Sequence, residues 1–198
     1  NLWVSRVVFS KHKENRIYVT LNGYRFDDFK PYVFVTEDNG ESWKSLHSKL
    51  PISSVNVIKE DPYYEDLLYL GTDNGLYMSF DKGSSWNSFN NGLQKVATHD
   101  LVIQKRAKDL LIGTHGRSIY KMDLSIIYSF LEKRNLKQNH YIIPNDINFS
   151  SRWGKRIYNW SEFNLPSHYF NLYSIKDQSL TMKLLDSDKS LIYKMKLI

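Results

Sequence analysis

Short runs of apolar and β-branched residues, separated by polar turns, recur along the first two thirds of the chain. Runs of this length and composition predict β-strands. They fall into successive groups with the same internal order, which we label A to D. The predicted strands are 4–10, 16–21, 32–36 and 43–47 in the first group, 55–60, 67–71, 76–80 and 86–89 in the second, and 100–104, 110–113 and 118–124 in a third group without a strand D.

Two eight-residue stretches at the predicted C–D turns share the pattern [ST]-x-D-x-G-x-[ST]-W, and their tryptophans lie 43 positions apart. The aspartate can accept backbone N–H groups across a turn, the glycine permits a positive φ, and the tryptophan is expected to bury its ring. We therefore predict structural rather than catalytic aspartates, in repeated four-stranded propeller blades. The matching residues are Thr36, Asp38, Gly40, Ser42 and Trp43, and Ser79, Asp81, Gly83, Ser85 and Trp86.

The last third of the chain has a different pattern. Apolar residues at 126, 127, 130 and 131 predict a helix over 126–137. Alternating segments at 141–143, 168–174, 180–186 and 191–197 predict a small antiparallel sandwich, shorter than a complete one. We thus predict a partial propeller in 1–124, a helical connector in 125–140 and a partial sandwich in 141–198. The start at Asn1, without an initiator methionine or signal peptide, suggests a piece of a larger protein.

Composition narrows the function classes. The 198 residues are 41% hydrophobic and include no cysteine, which excludes disulfides and cysteine-based metal sites. Residues 1–124 carry 16 lysines and arginines against 15 aspartates and glutamates, so a nucleic-acid-binding surface is not expected there. The more basic remainder is interpreted as solvated surface. No apolar run is long enough to span a bilayer. The six histidines lack metal-ligand spacing, and no cofactor motif occurs.

Residues 1–124 resemble the bacterial sortilin-like, Asp-box (BNR repeat) β-propeller proteins. These proteins are often labelled glycosyl hydrolases because they resemble xyloglucanases and sialidases. The resemblance rests on both boxes and on the stretches 21–28 and 113–120, while 151–154 and the later strands resemble the immunoglobulin-like module that follows such propellers. It implies an extracytoplasmic protein (secreted, periplasmic or at the cell surface), of which this chain is a C-terminal part.

Polar residues converge on the predicted B–C loops, which open at the end of the blades away from the Asp-boxes. Loops on a rigid scaffold commonly carry function. An arginine there could grip a carboxylate or sugar hydroxyls, although Arg25 could instead pair with a neighbouring aspartate and stiffen its loop. Adjacent aspartates are a conceivable acid/base pair, but their side chains should point apart. The candidates in these loops are Arg25, Asp27, Asp28, Asp73, His115 and Arg117, and His99, which precedes the third strand A, should reach the same face.

Two functions remain open at this point. The first is a binding or scaffold propeller whose loop face holds a protein, peptide or glycan. The second is a fragment of a glycoside hydrolase whose catalytic carboxylates lie partly outside this chain, since such enzymes need two carboxylates at a fixed separation. Incomplete blades leave open strand edges, so the expected partners are the rest of a parent propeller or another protein chain.

Overall fold

A computed structural model describes residues 2–89, 93–133, 140–144, 170–174 and 179–197. The chain divides into two compact units, Asn1–Leu124 and Ser125–Ile198. In the part of the chain that is described, no helix has the length and apolar character needed to cross a membrane.

The described residues of the first unit form three antiparallel sheets whose strands follow one another in chain order. Each strand pairs with the next, as in propeller blades, so the prediction of an all-β fold built from Asp-box blades is confirmed. The strands are β1 Trp3–Phe9, β2 Ile17–Gly23, β3 Asp28–Thr36 and β4 Lys44–Ser45 in sheet 1; β5 Val55–Glu60, β6 Leu68–Thr72, β7 Gly75–Ser79 and β8 Asn87–Phe89 in sheet 2; and β9 Thr98–Gln104, β10 Asp109–Thr114 and β11 Ile119–Asp123 in sheet 3.

A hydrophobic core joins sheet 1 to sheet 2. Because successive strand residues point to opposite faces, Tyr18 of β2 and Val33 and Val35 of β3 share one face, and all three are buried. They pack in one cluster with apolar residues of β5, β6 and β7. Strands β5 and β6 also contact β9. Sheet 2 is therefore covered by both neighbours, which explains why β6 and β7 are buried along their whole length.

The first B–C loop is shorter than predicted. A single 3₁₀ turn at Tyr24–Phe26 follows β2, and β3 begins at Asp28 rather than at residue 32. Pro31 lies in the part of β3 that was predicted as loop, and it lacks an N–H group. The register between β2 and β3 shifts between Leu21 and Gly23, and this irregularity accommodates a proline that cannot donate to the ladder.

The second unit comprises helix α1 Ser125–Lys133 and two antiparallel strand pairs among its described residues. In the turn at 186–190, the carboxylate of Asp186 accepts the backbone N–H groups of Asp188 and Ser190. The proposed motif at 151–154 and part of the predicted helix, 134–137, lie outside the described residues. The immunoglobulin-like module stays a prediction. The strands are β12 His140–Pro144 paired with β13 Phe170–Ser174, and β14 Leu180–Leu185 paired with β15 Leu191–Leu197.

Gly71 marks a close approach between sheets 2 and 3 that the equivalent Gly113 does not share. A Cβ atom at residue 71 would lie 2.6 Å from Val57 Cγ1 and 2.8 Å from the carbonyl oxygen of Thr98. At residue 113 the nearest atoms, those of Asp100, would be 3.6 Å away.

We therefore expect Gly71→Ala to lower the free energy of unfolding by about 1–3 kcal/mol, the usual cost of overpacking. Gly113→Ala is the matched control and should change it by less than about 0.5 kcal/mol. Urea denaturation followed by tryptophan fluorescence measures both. Equal effects of the two substitutions would contradict the close packing at Gly71.

Candidate ligand-binding face

The Asp-box turns lie at one end of the blades and are held by their own hydrogen bonds. In the first box, the Thr36 hydroxyl donates to Asp38 at 2.6 Å, and the Ser42 N–H donates at 2.9 Å. Hydrogen bonds from the hydroxyls of Ser42 and Thr36 lower the pKa of Asp38 to about 2. Gly40 adopts a φ of 100°, which a residue with a side chain would rarely tolerate.

The second box repeats this geometry. The Ser79 hydroxyl donates to Asp81 at 2.7 Å, and the N–H and hydroxyl of Ser85 donate at 2.8 and 2.6 Å. Burial disfavours the charged form, but the hydrogen bonds from Ser85 and Ser79 hold the pKa of Asp81 below its ordinary value. Both carboxylates are therefore engaged in their own turns, which is a structural arrangement.

The two box tryptophans differ in burial. Trp86 is 7% exposed and donates its indole N–H to the carbonyl of Leu46 at 2.7 Å. Trp43 is 46% exposed and donates to Gly40 at 3.1 Å. The expectation that both rings bury is wrong for Trp43. Trp86 packs against sheet 1, whereas within the described residues no sheet covers the corresponding face beside Trp43.

The loops β2–β3, β6–β7 and β10–β11 open at the end opposite the Asp-boxes, as the antiparallel connectivity requires. A chain of side-chain hydrogen bonds joins this end of the first two sheets. The amide of Asn22 donates to Asn56 at 2.8 Å, and the amide of Asn56 donates to Asp73 at 2.8 Å and to the Thr98 carbonyl at 3.3 Å. The starts of β5 and β9 and the ends of β2 and β6 therefore meet here.

A β-bulge recurs at the same place in strand A of each sheet. The register shifts between Val4 and Arg6 in β1, between Val55 and Val57 in β5, and opposite Gly113 and Thr114 in β9. The residues skipped by the pairing are Ser5, Asn56 and His99. Bulges are known to re-aim side chains beside functional sites. All three bulge residues line one cavity.

This cavity has a volume of about 340 Å³. Its lining combines the three bulge residues with aromatic and cationic side chains from β1 and from the β2–β3 loop. None of these lining residues, all within the described part of the chain, is an aspartate or glutamate. The lining residues are Trp3, Ser5, Arg6, Asn22, Tyr24, Arg25, Phe26, Asn56 and His99.

Two arginines define the charge of the cavity. Arg6 Nη2 donates to Asp100 Oδ1 at 2.9 Å and to the His99 carbonyl at 3.4 Å, while its Nε is buried without a hydrogen-bond partner. The guanidinium of Arg25 lies 4.0 Å from the centre of the Trp3 ring, a cation–π contact. This is not the pairing with Asp27 or Asp28 that we considered from the sequence.

The remaining loop candidates occupy several positions around this end. The ring of His115 lies 5.6 Å from that of His99, and the amide of His115 donates to the Ala97 carbonyl at 2.9 Å. His99 itself lies inside β9, not before the strand as predicted, because β9 continues past the bulge. Arg117 is exposed in the β10–β11 turn and is not among the residues that line the cavity.

The two adjacent aspartates do not form a catalytic pair in the cavity. Asp27 is exposed and ends the 3₁₀ turn with a left-handed φ of 57°. Asp28 accepts the Tyr32 hydroxyl at 2.7 Å and the Lys30 N–H at 3.2 Å, and the Tyr32 hydrogen bond lowers its pKa. Neither residue lines the cavity. Among the residues described, no cluster of three or more histidine, aspartate or glutamate side chains could hold a metal ion.

The sequence pattern pointed to site residues in loops. It identified Arg25 and His99 as site residues, but it missed Ser5, Arg6 and Asn56. All three lie in strands, where the alternating pattern assigns them to the sheet itself. The available signal was a polar residue at the start of two otherwise apolar A strands, Val4-Ser5-Arg6 and Val55-Asn56-Val57. Its meaning depends on bulges, which are set by cross-strand pairing.

The sequence matches the Sortilin-Vps10 family model, described as sortilin, neurotensin receptor 3, over residues 31–138. Similar solved structures include the GH74 xyloglucanase from Xanthomonas campestris, with 12% identity and a TM-score of 0.48 over 60% of this chain and 20% of that one. The GH74 enzyme of Niastella koreensis has 20% identity and a TM-score of 0.47 over 61% and 21%. YCF48 bound to D1 peptide has 18% identity and a TM-score of 0.37 over 62% and 39%.

The chain therefore spans about a fifth of the length of the two GH74 enzymes. A search of curated proteins finds no match.

Proposed function

Because the chain belongs to the Sortilin-Vps10 family, we propose that it is a binding or scaffold portion of an extracytoplasmic β-propeller. Its loop face, at the end opposite the Asp-boxes, holds a protein, peptide or glycan ligand. The remainder of a parent propeller, or another protein chain, is its structural partner. Members of the sortilin family are typically extracellular, which supports this location.

The observation that carries the proposal is the convergence of three equivalent bulge residues on one cavity. Ser5, Asn56 and His99 come from three different sheets, so a ligand there would contact every sheet of the first unit. A cavity with apolar and aromatic walls and a few fixed polar groups is typical of a binding site. Tyr24 and Phe26 at its edge are 61% and 58% exposed, which leaves apolar surface for a ligand to cover.

The position of the carboxylates favours binding over glycoside hydrolysis. A glycosidase needs two carboxylates on either side of the scissile bond. The described cavity lining includes none, Asp38 and Asp81 belong to turns at the other end, and Asp28 is hydrogen-bonded within β3. The hydrolase alternative would require catalytic carboxylates supplied at least partly from outside the described residues of this chain.

We expect the purified chain to bind components of peptide and glycan arrays through this face. The double variant Tyr24→Ser, Phe26→Ser should weaken binding of an array hit at least about tenfold, because two exposed aromatic contacts are lost. Trp43→Ser is the matched control, since it removes an aromatic ring of similar exposure at the Asp-box end. Biolayer interferometry gives the dissociation constants of the unsubstituted chain, the double variant and the control variant.

Two results would overturn the proposal. One is an absence of any array hit. The other is binding that survives the loop double variant and is lost in Trp43→Ser, which would place the interaction at the Asp-box end. Release of reducing sugar from xyloglucan by the purified chain would instead favour the hydrolase alternative.

A further inference from the structure

The cavity lining is more positively charged than the first unit as a whole. Residues 1–124 have nearly balanced charges, with 16 basic and 15 acidic side chains. The described lining nevertheless holds two arginines and a histidine without an acidic residue. Resting on the function proposed above, we propose that the cavity takes a carboxylate-bearing sugar, namely the terminal uronic acid residue of an acidic glycan.

Arg6 offers the first contact for a carboxylate. Its Nη2 is held by Asp100 and its Nε is buried, but its side chain as a whole is 38% exposed. A ligand carboxylate would therefore meet the exposed part of this side chain rather than Nε. A guanidinium presents its donors in a planar fork that matches a carboxylate. The Asp100 contact fixes the orientation of this fork before any ligand arrives.

Arg25 offers the second contact and is less restrained. No ion pair involving Arg25 occurs in the described part of the chain, and its guanidinium is oriented by stacking on Trp3. A stacked arginine keeps its edge N–H groups available for hydrogen bonds in the plane of the guanidinium. Arg25 therefore supplies a cation whose charge is not neutralised by a neighbouring carboxylate.

The aromatic side chains and the size of the cavity favour a sugar ring. Trp3, Tyr24 and Phe26 are each about half exposed or more, and they offer apolar surface to the C–H face of a pyranose. The volume of about 340 Å³ is at the small end of ligand-binding cavities, suited to one or two rings rather than a folded peptide segment. Asn22 uses one amide hydrogen on Asn56 and keeps a second for a ligand hydroxyl.

Calorimetric titration of the purified chain with trigalacturonic acid tests the proposal. Its methyl ester is the matched probe, because it keeps the rings and removes the charge. We expect the acid to bind and the ester to bind at least about tenfold more weakly, the usual value of a charged hydrogen bond. Arg25→Gln and Arg6→Gln should each weaken binding of the acid by a similar factor. Arg106→Gln, in the exposed β9–β10 turn, should leave the affinity for the acid unchanged.

The outcomes separate this inference from the proposed function. Equal binding of acid and ester would overturn the anionic sugar while leaving a glycan-binding face. A third outcome is that a peptide with a free C-terminal carboxylate binds, that Arg25→Gln weakens this binding, and that trigalacturonate does not bind. This outcome would overturn the sugar as the ligand but not the carboxylate. Failure of these probes and of every array component would overturn both. Arg25 lies in a surface loop, so its variant remains informative if Arg6→Gln fails to fold.

Discussion

Replacing Arg16 with methionine is expected to lower the free energy of unfolding by about 3–5 kcal/mol, the cost of breaking a buried ion pair. Arg16 is 5% exposed, and Glu60, which lies 3.7 Å from its Nη1, is 2% exposed. Arg16 also donates to Glu37 at 2.7 Å and to Glu65 at 2.8 Å. One guanidinium therefore ties sheet 1 to the buried carboxylate at the end of β5 and to the β5–β6 turn.

Without Arg16, the carboxylate of Glu60 would keep only neutral donors. The Lys11 N–H donates to it at 2.5 Å, the Tyr18 hydroxyl at 3.0 Å, and the Ser10 hydroxyl at 2.9 and 2.8 Å. Burial and the charge of Glu60 raise the pKa of Tyr18, which keeps its hydroxyl protonated as a donor. These contacts cannot replace the lost positive charge, so the buried side chain of Glu60 would be left without its cationic partner.

Lys13→Met is the matched control for this prediction. Lys13 pairs with the same Glu37 at 2.5 Å but is 47% exposed, so its loss should cost less than about 1 kcal/mol. Urea denaturation at neutral pH measures both variants. Equal destabilisation would show that burial of the Arg16 pair has no energetic consequence.

The same substitution has a second readout in the titration of Glu65. Lys82 and Arg16 lower the pKa of Glu65 to about 2, below its ordinary value of 4.5. This contribution to stability is present above the unfolded-state pKa and is lost as the pH falls from about 4.5 to about 2. In Arg16→Met the pKa of Glu65 should rise toward its ordinary value, and a carbon NMR titration of its carboxyl group would measure this rise.

The repeated blades could be predicted because their signals are local. The composition of a run such as Val55–Glu60 is enough to predict a strand, and the structure gives that strand the same bounds. The Asp-box is likewise defined by residues within eight positions of one another, and the hydrogen bonds to its aspartate come from within that segment. By contrast, the burial of Trp43 depends on a neighbouring sheet, which the octet itself does not specify.

The candidate site was only partly predictable for the same physical reason. Arg25 and His99 were identified because they lie in or near connections between strands. Arg6 joins the site through Asp100, 94 positions away, and Asn56 joins it through a bulge in its pairing with β6. Such contacts arise when three sheets are brought together, so strand periodicity alone assigns these residues to the interior of a blade.

The two Asp-boxes are equivalent in sequence, yet the same substitution of their tryptophans should lower the free energy of unfolding by very different amounts. Trp86→Ala should lower the free energy of unfolding by about 3–5 kcal/mol, the usual cost of truncating a buried aromatic residue. The Trp86 ring packs in the cluster that joins sheets 1 and 2, and its indole N–H binds the Leu46 carbonyl across that interface. The substitution therefore removes apolar contacts and leaves a buried carbonyl without its donor.

Trp43→Ala changes the same residue of the same motif and should cost less than about 1 kcal/mol, because its ring is 46% exposed and bonds only within its own turn. Chemical denaturation monitored by far-ultraviolet circular dichroism measures the free energy of unfolding of both variants without relying on tryptophan emission. Trp86→Phe should fall between them, since it restores most of the apolar volume and omits the hydrogen bond to Leu46. If Trp43→Ala proved as destabilising as Trp86→Ala, the tryptophan would act through its own turn and not through contact between sheets.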